Sequence, residues 1–294
     1  MKSFPKRKGI ILAAGLGTRL SPLSLGVSKQ LMPIYNKPMI YYPLTVLMFA
    51  GIREFLIITN SYDLNSFQRL LGNGHSFGIS IEYKVQESPD GLAQAFLIGA
   101  DFIGNSNVVL ALGDNLFHGQ ALIPVLKSAS SRDKGATIFA CPVKDPERYG
   151  VVYFDKSGLA LNIEEKPKNP KSNFAVTGLY FYDNTVLEKV HTLKKSKRGE
   201  LEITDLNKIY LKNQTLNVET MGRGTAWLDT GTFESMHEAS SYIRTLENRQ
   251  GLLIGSPDEV AWRLNLINDE QLKKNARKLI KSDYGKYLYK LLKN

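Results

Sequence analysis

Short apolar runs at 9–14, 53–59, 80–85, 107–112 and 136–142 punctuate the first half of the chain. Each is bounded by polar or glycine-containing segments, as buried strands are. Between them, the stretches 38–50, 63–71, 91–101 and 119–131 predict helices. Strand and helix in alternation predict a parallel sheet with helical crossovers. The rhythm changes near residue 150. V-V-Y-F-D, L-N-I-E-E and A-V-T-G-L-Y-F-Y predict short strands, with turns at Gly158 and along N-P-K-S-N at 169–173. Helices return near 184–192, 204–212, 232–248 and 268–282, with Thr204 a candidate cap. The pattern predicts an α/β chain: a doubly wound, mostly parallel central sheet flanked by helices, an inserted strand-rich part and a C-terminal helical appendage.

Composition narrows the class. With 294 residues, 43% of them hydrophobic, the chain can bury a large core. A single cysteine, Cys141, makes no internal disulfide, which points to a reducing, cytoplasmic setting. The basic start before Ile10–Ala14 resembles a signal peptide only faintly, because its apolar run ends at Gly15 and Arg19. No run approaches the roughly 18 apolar residues of a membrane span. The net charge of +10 suggests a polyanion partner, but it is concentrated at the ends. Residues 271–294 hold eight Lys or Arg against Asp283 alone, and Lys2, Lys6, Arg7 and Lys8 crowd the start. The body between is close to neutral, so neither nucleic acid nor membrane is expected as a partner. The basic C-terminal helix reads as a solvated face or a subunit contact.

Candidate chemistry sits where strands end. The first strand runs into Gly15-Leu16-Gly17-Thr18-Arg19, a bare-backbone loop carrying a guanidinium, which suits phosphate oxygens. It lacks both the third glycine of a dinucleotide fingerprint and the G-K-[ST] of a P-loop. Lys29-Gln30 follows ten residues later, offering a phosphate counter-charge and an amide able to read a base edge. Gly113-Asp114 closes an apolar strand, and Asp229 closes another in A-W-L-D-T-G-T. Two carboxylates at sheet ends suit Mg²⁺ shared with phosphates. Glu164-Glu165-Lys166-Pro167 supplies a lysine for a second phosphate and a glutamate for sugar hydroxyls. The histidines, at 75, 118, 191 and 237, have no ligand spacing, so a zinc site is not expected.

Several longer strings carry a resemblance. S-K-Q-L-M-P-I-Y-N-K-P-M-I-Y-Y-P, Q-E-S-P-D-G-L-A-Q-A-F, L-G-D-N, D-P-E-R-Y-G-V-V, E-E-K-P, V-T-G-L-Y-F-Y-D, G-E-L-E-I-T-D and A-W-L-D-T-G-T are similar to those of the sugar-1-phosphate nucleotidylyltransferases, from about Lys8 to Tyr287. The resemblance implies a Rossmann-like fold in a single domain, 1–294, with a nucleotide-binding part at 8–145, a sugar-phosphate-binding part at 146–231 and C-terminal helices at 232–294. It implies dTTP and glucose 1-phosphate as substrates, Mg²⁺ as cofactor, a place at the start of dTDP-L-rhamnose biosynthesis and a homotetramer.

Residue by residue, it makes Ala14, Gly15, Gly17 and Thr18 the triphosphate cradle, with Arg19 on the departing pyrophosphate and Lys29 assisting. Gln30, Gln86 and Gly91 correspond to thymine and nucleoside contacts, and Asp114 and Asp229 to Mg²⁺ ligands. Asn115, Tyr149, Gly150, Glu165, Val176, Tyr180, Arg198 and Trp227 fall on the glucose 1-phosphate side, with Lys166 on its phosphate. Arg19, Lys29, Asp114 and Lys166 would carry the catalysis. One departure is visible: Ala14 stands where the family's thymidylyl members usually carry glycine. The same chemistry with UTP or another sugar 1-phosphate stays open. A non-catalytic nucleotide-sugar sensor would lack an expected charge, and none is lacking. An NAD-dependent oxidoreductase would need the missing third glycine.

Overall fold

Alternate residues of the central strands face opposite apolar layers, as a pleated strand buried on both sides requires. In the computed structural model, which describes residues 7–293, β1 (Arg7–Ala13) turns Ile11 and Ala13 to one layer and Ile10 and Leu12 to the other. Lys2 and Lys6, part of the basic start, lie outside the described residues. A short hairpin, β2 (Pro33–Ile34) and β3 (Lys37–Pro38), precedes β4 (Glu54–Thr59), β5 (Ser80–Val85), β6 (Asn107–Leu112) and β7 (Asn115–His118). The later strands are β8 (Ala136–Pro142), β9 (Gly150–Phe154), β10 (Ala160–Glu165), β11 (Phe174–Tyr182), β12 (Leu216–Thr220) and β13 (Ala226–Asp229).

The main sheet has the order β10-β9-β11-β6-β1-β4-β5, with β8 pairing to β11 and β12. Strands β6, β1, β4 and β5 are parallel, and β11 runs antiparallel to β6, β8 and β9. Chain order reverses at β1, whose neighbours β4 and β6 lie on opposite sides. Open α/β sheets bind ligands at such a switch point, beyond the carboxyl ends of the strands.

The strands predicted at 80–85, 107–112 and 136–142 form over those residues. The helix predicted over 91–101 instead divides into Gln94–Ile98 and Ala100–Ile103. The break is at Gly99, where a methyl would stand 3.0 Å from Ile10 and 3.1 Å from Leu56, so the chain lies tight on the sheet. Thr204 does not cap. The helix Ile203–Lys212 starts after Glu202, and the Thr204 hydroxyl donates to Glu165. Two further helices, Pro257–Arg263 and Asp283–Leu291, begin at Ser256 and Ser282, each accepting a backbone N–H within the first turn.

The C-terminal helices are more than an appendage. Val260, Ala261, Leu272, Ala276 and Leu288 join the same apolar layer as Ile11 and Leu47. The helix Phe233–Gln250 packs on the β2–β3 hairpin around Ile34, Met39, Tyr42, Ala239 and Ile243. Beside that cluster lies a buried ion pair: Lys37 Nζ meets Glu247 Oε1 at 2.6 Å, with 1% and 4% of the side chains exposed. Among the described residues no helix is long and apolar enough to cross a membrane.

Candidate active site

At the end of β1 the backbone is left open. Around Gly15 a methyl would meet no atom within 4 Å, and Gly17 takes a left-handed conformation (φ +60°) into the turn Thr18–Leu20. Ala14 is buried with its methyl in the apolar layer of Ile10 and Leu12. The unusual residue thus adds to the core, and Gly15 faces the solvent. Arg19 reaches across to β13: a methyl on Gly231 would stand 3.0 Å from its Nη2 and 3.3 Å from Asp229 Oδ2.

Lys29 and Gln30 occupy a turn, Lys29–Leu31, and both are buried. Lys29 Nζ donates to Asp114 Oδ2 at 2.5 Å, so its ammonium is committed to a carboxylate. Gln30 Oε1 accepts from Ser28. Gly113, between β6 and Asp114, touches Gln30 and the Leu12 carbonyl so closely that a methyl would lie 2.9 and 3.0 Å from them. The Gly-Asp pair is therefore a packing requirement as well as a chemical one.

The two aspartates stand on adjoining rungs. β13 runs antiparallel to β7 with Asp229 opposite Asn115, and Thr230 donates to the Asp114 carbonyl through both its N–H and its hydroxyl, at 3.2 and 2.8 Å. Burial would raise the Asp114 carboxyl, but Lys29 and Asn115 outweigh it and hold the group below the usual carboxylate range. Asp229 goes the other way, pushed up first by burial and then by the charge of Asp114. Asn115 ties the pair to the sheet. Its Nδ2 donates to Asp114, and its Oδ1 accepts from the Gly178 N–H and Trp227 Nε1 at 3.0 and 2.6 Å.

From these residues two hollows open. The smaller, about 220 Å³, is lined by Gly15, Gln30, Gln86 and Gly91 and reaches Asp114. Gln86 Nε2 donates to Gln94 Oε1, which fixes its amide. Gly91, at φ +106°, lies where a methyl would be 2.5 Å from the Leu201 carbonyl. The larger, about 610 Å³, holds Arg19, Asp114, Asp229 and every residue expected on the sugar-phosphate side. Tyr149 and Gly150 come from the start of β9, Glu165 and Lys166 from the end of β10, Val176 and Tyr180 from β11, and Trp227 from β13. Glu165 accepts from Thr204 Oγ1 and Arg198, and Arg198 also forks onto Glu202 at 2.7 and 3.1 Å. The Tyr149 hydroxyl is pushed up to about 12, chiefly by burial and then by Asp229.

Sequence reading missed Arg148, Glu200, Glu202 and Thr204, which also line the larger hollow. Their strings, D-P-E-R-Y-G and G-E-L-E-I-T-D, carry part of the resemblance, but the sequence reading gives Arg148, Glu200 and Glu202 no role and takes Thr204 only as a cap.

The donor set suits one kind of metal. Among the described residues no group of three or more His, Cys, Asp or Glu forms a ready cage. Asp114 and Asp229 supply hard carboxylate oxygens, and beyond burial the charge of Asp114 pushes Asp229 up, a conflict that a divalent cation would relieve. Mg²⁺, which takes one or two carboxylates and leaves its other positions to phosphates and water, fits this pair.

The Nucleotidyl transferase family model matches residues 8–245. A glucose-1-phosphate thymidylyltransferase of Neisseria meningitidis serogroup A is 59% identical over 97% of this chain and 99% of its own. One of Mycolicibacterium smegmatis is 57% identical over the same shares. Among solved structures, a Bacillus anthracis protein assigned as a glucose-1-phosphate thymidylyltransferase, in complex with sucrose, is 41% identical with a TM-score of 0.75, covering 81% of this chain and 95% of its own. A UDP-glucose pyrophosphorylase bound to UDP-glucose is 26% identical with a TM-score of 0.71, covering 82% and 99%. The chain therefore belongs to the nucleotidyl transferase family, and within it to the glucose-1-phosphate thymidylyltransferases.

Proposed function

We propose that this chain joins dTTP to α-D-glucose 1-phosphate, giving dTDP-glucose and pyrophosphate. The observation that best supports this is the pair Asp114 and Asp229, of which Asp114 joins two hollows, one beside the glycine loop and Gln30, the other beside Lys166 and Asp229. A phosphate oxygen of the sugar attacks the α-phosphorus of the nucleotide, that P–O bond forms, and the α–β bridging bond breaks to release pyrophosphate. The attacking oxygen is already anionic at neutral pH, its second ionisation lying at about 6, so no general base is needed. What is needed is alignment and relief of charge repulsion.

In this reading Ala14, Gly15, Gly17 and Thr18 cradle the triphosphate through their backbone, and Arg19 stabilises the charge that builds on pyrophosphate. Lys29 keeps Asp114 ionised. Gln30, Gln86 and Gly91 hold the nucleoside. Lys166 and Arg198 orient the sugar phosphate, while Glu165 accepts from sugar hydroxyls between Tyr149 and Trp227. Asp114 and Asp229 would hold Mg²⁺, which when bound neutralises the phosphates of both substrates. Residues 8–145 would serve the nucleotide and 146–231 the sugar phosphate. The same reading puts the enzyme in the cytoplasm, at the first step of dTDP-L-rhamnose biosynthesis, as a homotetramer without nucleic-acid or membrane partners.

Pyrophosphate release measured over a grid of dTTP, UTP and ATP against several sugar 1-phosphates tests the assignment. The fastest cell should be dTTP with glucose 1-phosphate. The likeness to a UDP-glucose pyrophosphorylase keeps UTP as the second reading, and a faster rate with UTP would replace the first. Stripping divalent ions with EDTA should abolish release, and adding Mg²⁺ should restore it; undiminished release in EDTA would remove the ion from the reaction.

A further inference from the structure

Each of the two aspartates has one cation within ion-pair distance, and the two pairs are built differently. Lys29 lies 2.5 Å from Asp114 with 7% of its side chain exposed, so it is locked in place. Arg148 approaches Asp229 through Nη2 at 3.7 Å, with 37% of its side chain exposed. Its other terminal nitrogen, Nη1, donates to Asp145 Oδ2 at 2.5 Å, the residue just before the short turn Pro146–Arg148. The guanidinium thus spans two carboxylates through different nitrogens, tightly on one and loosely on the other. It can leave Asp229 without losing Asp145.

Its surroundings say where it would go. The guanidinium carbon sits 5.2 Å from the centre of the Tyr149 ring, and Tyr149 packs edge-on against Trp227 at 5.0 Å. All three side chains line the larger hollow together with Lys166. A planar fork with five N–H donors, one edge tethered, is well shaped to receive phosphate oxygens.

We infer that Arg148 serves as a counter-cation of Asp229 before substrate enters and that it transfers to the phosphate of the incoming sugar 1-phosphate. This rests on the proposed reaction. Arg148 then has opposite effects on two ligands. It competes with a divalent cation for Asp229, and it assists the sugar phosphate. A residue that merely supported the fold of Asp229 would affect both in the same direction.

Arg148→Gln separates these cases. Mn²⁺ binding to substrate-free enzyme, followed by electron paramagnetic resonance, should tighten about fivefold, the scale of removing one partly exposed ion pair. The KM for glucose 1-phosphate should rise about tenfold or more, as expected for a lost charge-assisted hydrogen bond, while the KM for dTTP stays within about twofold. Arg148→Lys, which keeps the charge and loses the fork, should return Mn²⁺ binding to the wild-type value and restore the sugar-phosphate KM only in part. Unchanged or weaker Mn²⁺ binding in Arg148→Gln, or an unchanged KM for the sugar phosphate, would overturn the assignment. The wild-type substrate grid stands apart from these outcomes, so a wrong reaction and a wrong role for Arg148 are distinguishable.

Discussion

Replacing Asp114 by asparagine is expected to lower turnover at least ~100-fold, the scale of losing one positioned charge. The carboxylate has three tasks at once: it receives Lys29 and Asn115, it faces Asp229, and it lines both hollows. An amide cannot neutralise the buried ammonium of Lys29, so the variant should also unfold at a lower temperature. Lys166→Ala is the companion measurement. Lys166 is half exposed, and its nearest carboxylate contact, to Glu165, is long at 4.0 Å. Its loss should therefore cost turnover on the same scale while leaving thermal unfolding unchanged. Near wild-type turnover in both variants would detach these residues from catalysis.

Glu247→Ala is expected to destabilise the protein by about 3–5 kcal/mol, because it leaves a buried ammonium without its counter-ion. Burial already works to lower the pKa of Lys37, and Glu247 is the partner that opposes it. Glu247 also accepts from Asn36 Nδ2 at 3.0 Å and from the Ile254 N–H at 2.8 Å, so the hairpin and the chain at Ile254 both depend on one carboxylate. For a chain of this size the melting temperature should fall by at least ~6 °C. Replacing both partners by apolar residues, Lys37→Met with Glu247→Leu, should recover much of the loss, since the pair's value lies in mutual neutralisation. A shift of about 1 °C or less in the single variant would mean that the ion pair contributes little.

Strands buried on both faces were legible in the sequence because an apolar run such as Val108–Leu112 or Ala136–Ala140 has few alternative readings. β7 and β13 were not read as a pair. Each has four residues, and their partnership joins Asn115 to Asp229 across more than a hundred positions. The helix Asp283–Leu291 was hidden for another reason: its lysines and tyrosines blur the apolar stripe that Leu288 anchors. At the site, residues within one string were found by their strings. Contacts between strings were not, since Lys29 with Asp114, Thr204 with Glu165 and Arg148 with Asp229 depend on register that no local spacing encodes.

The C-terminal helices have a consequence for how this enzyme can be divided. The family model ends at residue 245, and every cleft residue named above lies before that point. A chain ended there would keep all the groups proposed for the chemistry. It would lose Glu247 from beneath Lys37 and strip Val260, Leu272 and Leu288 from one side of the sheet. The unit that reacts and the unit that folds thus have different ends, and grafts, fusions or chimaeras of this enzyme should be cut by the second.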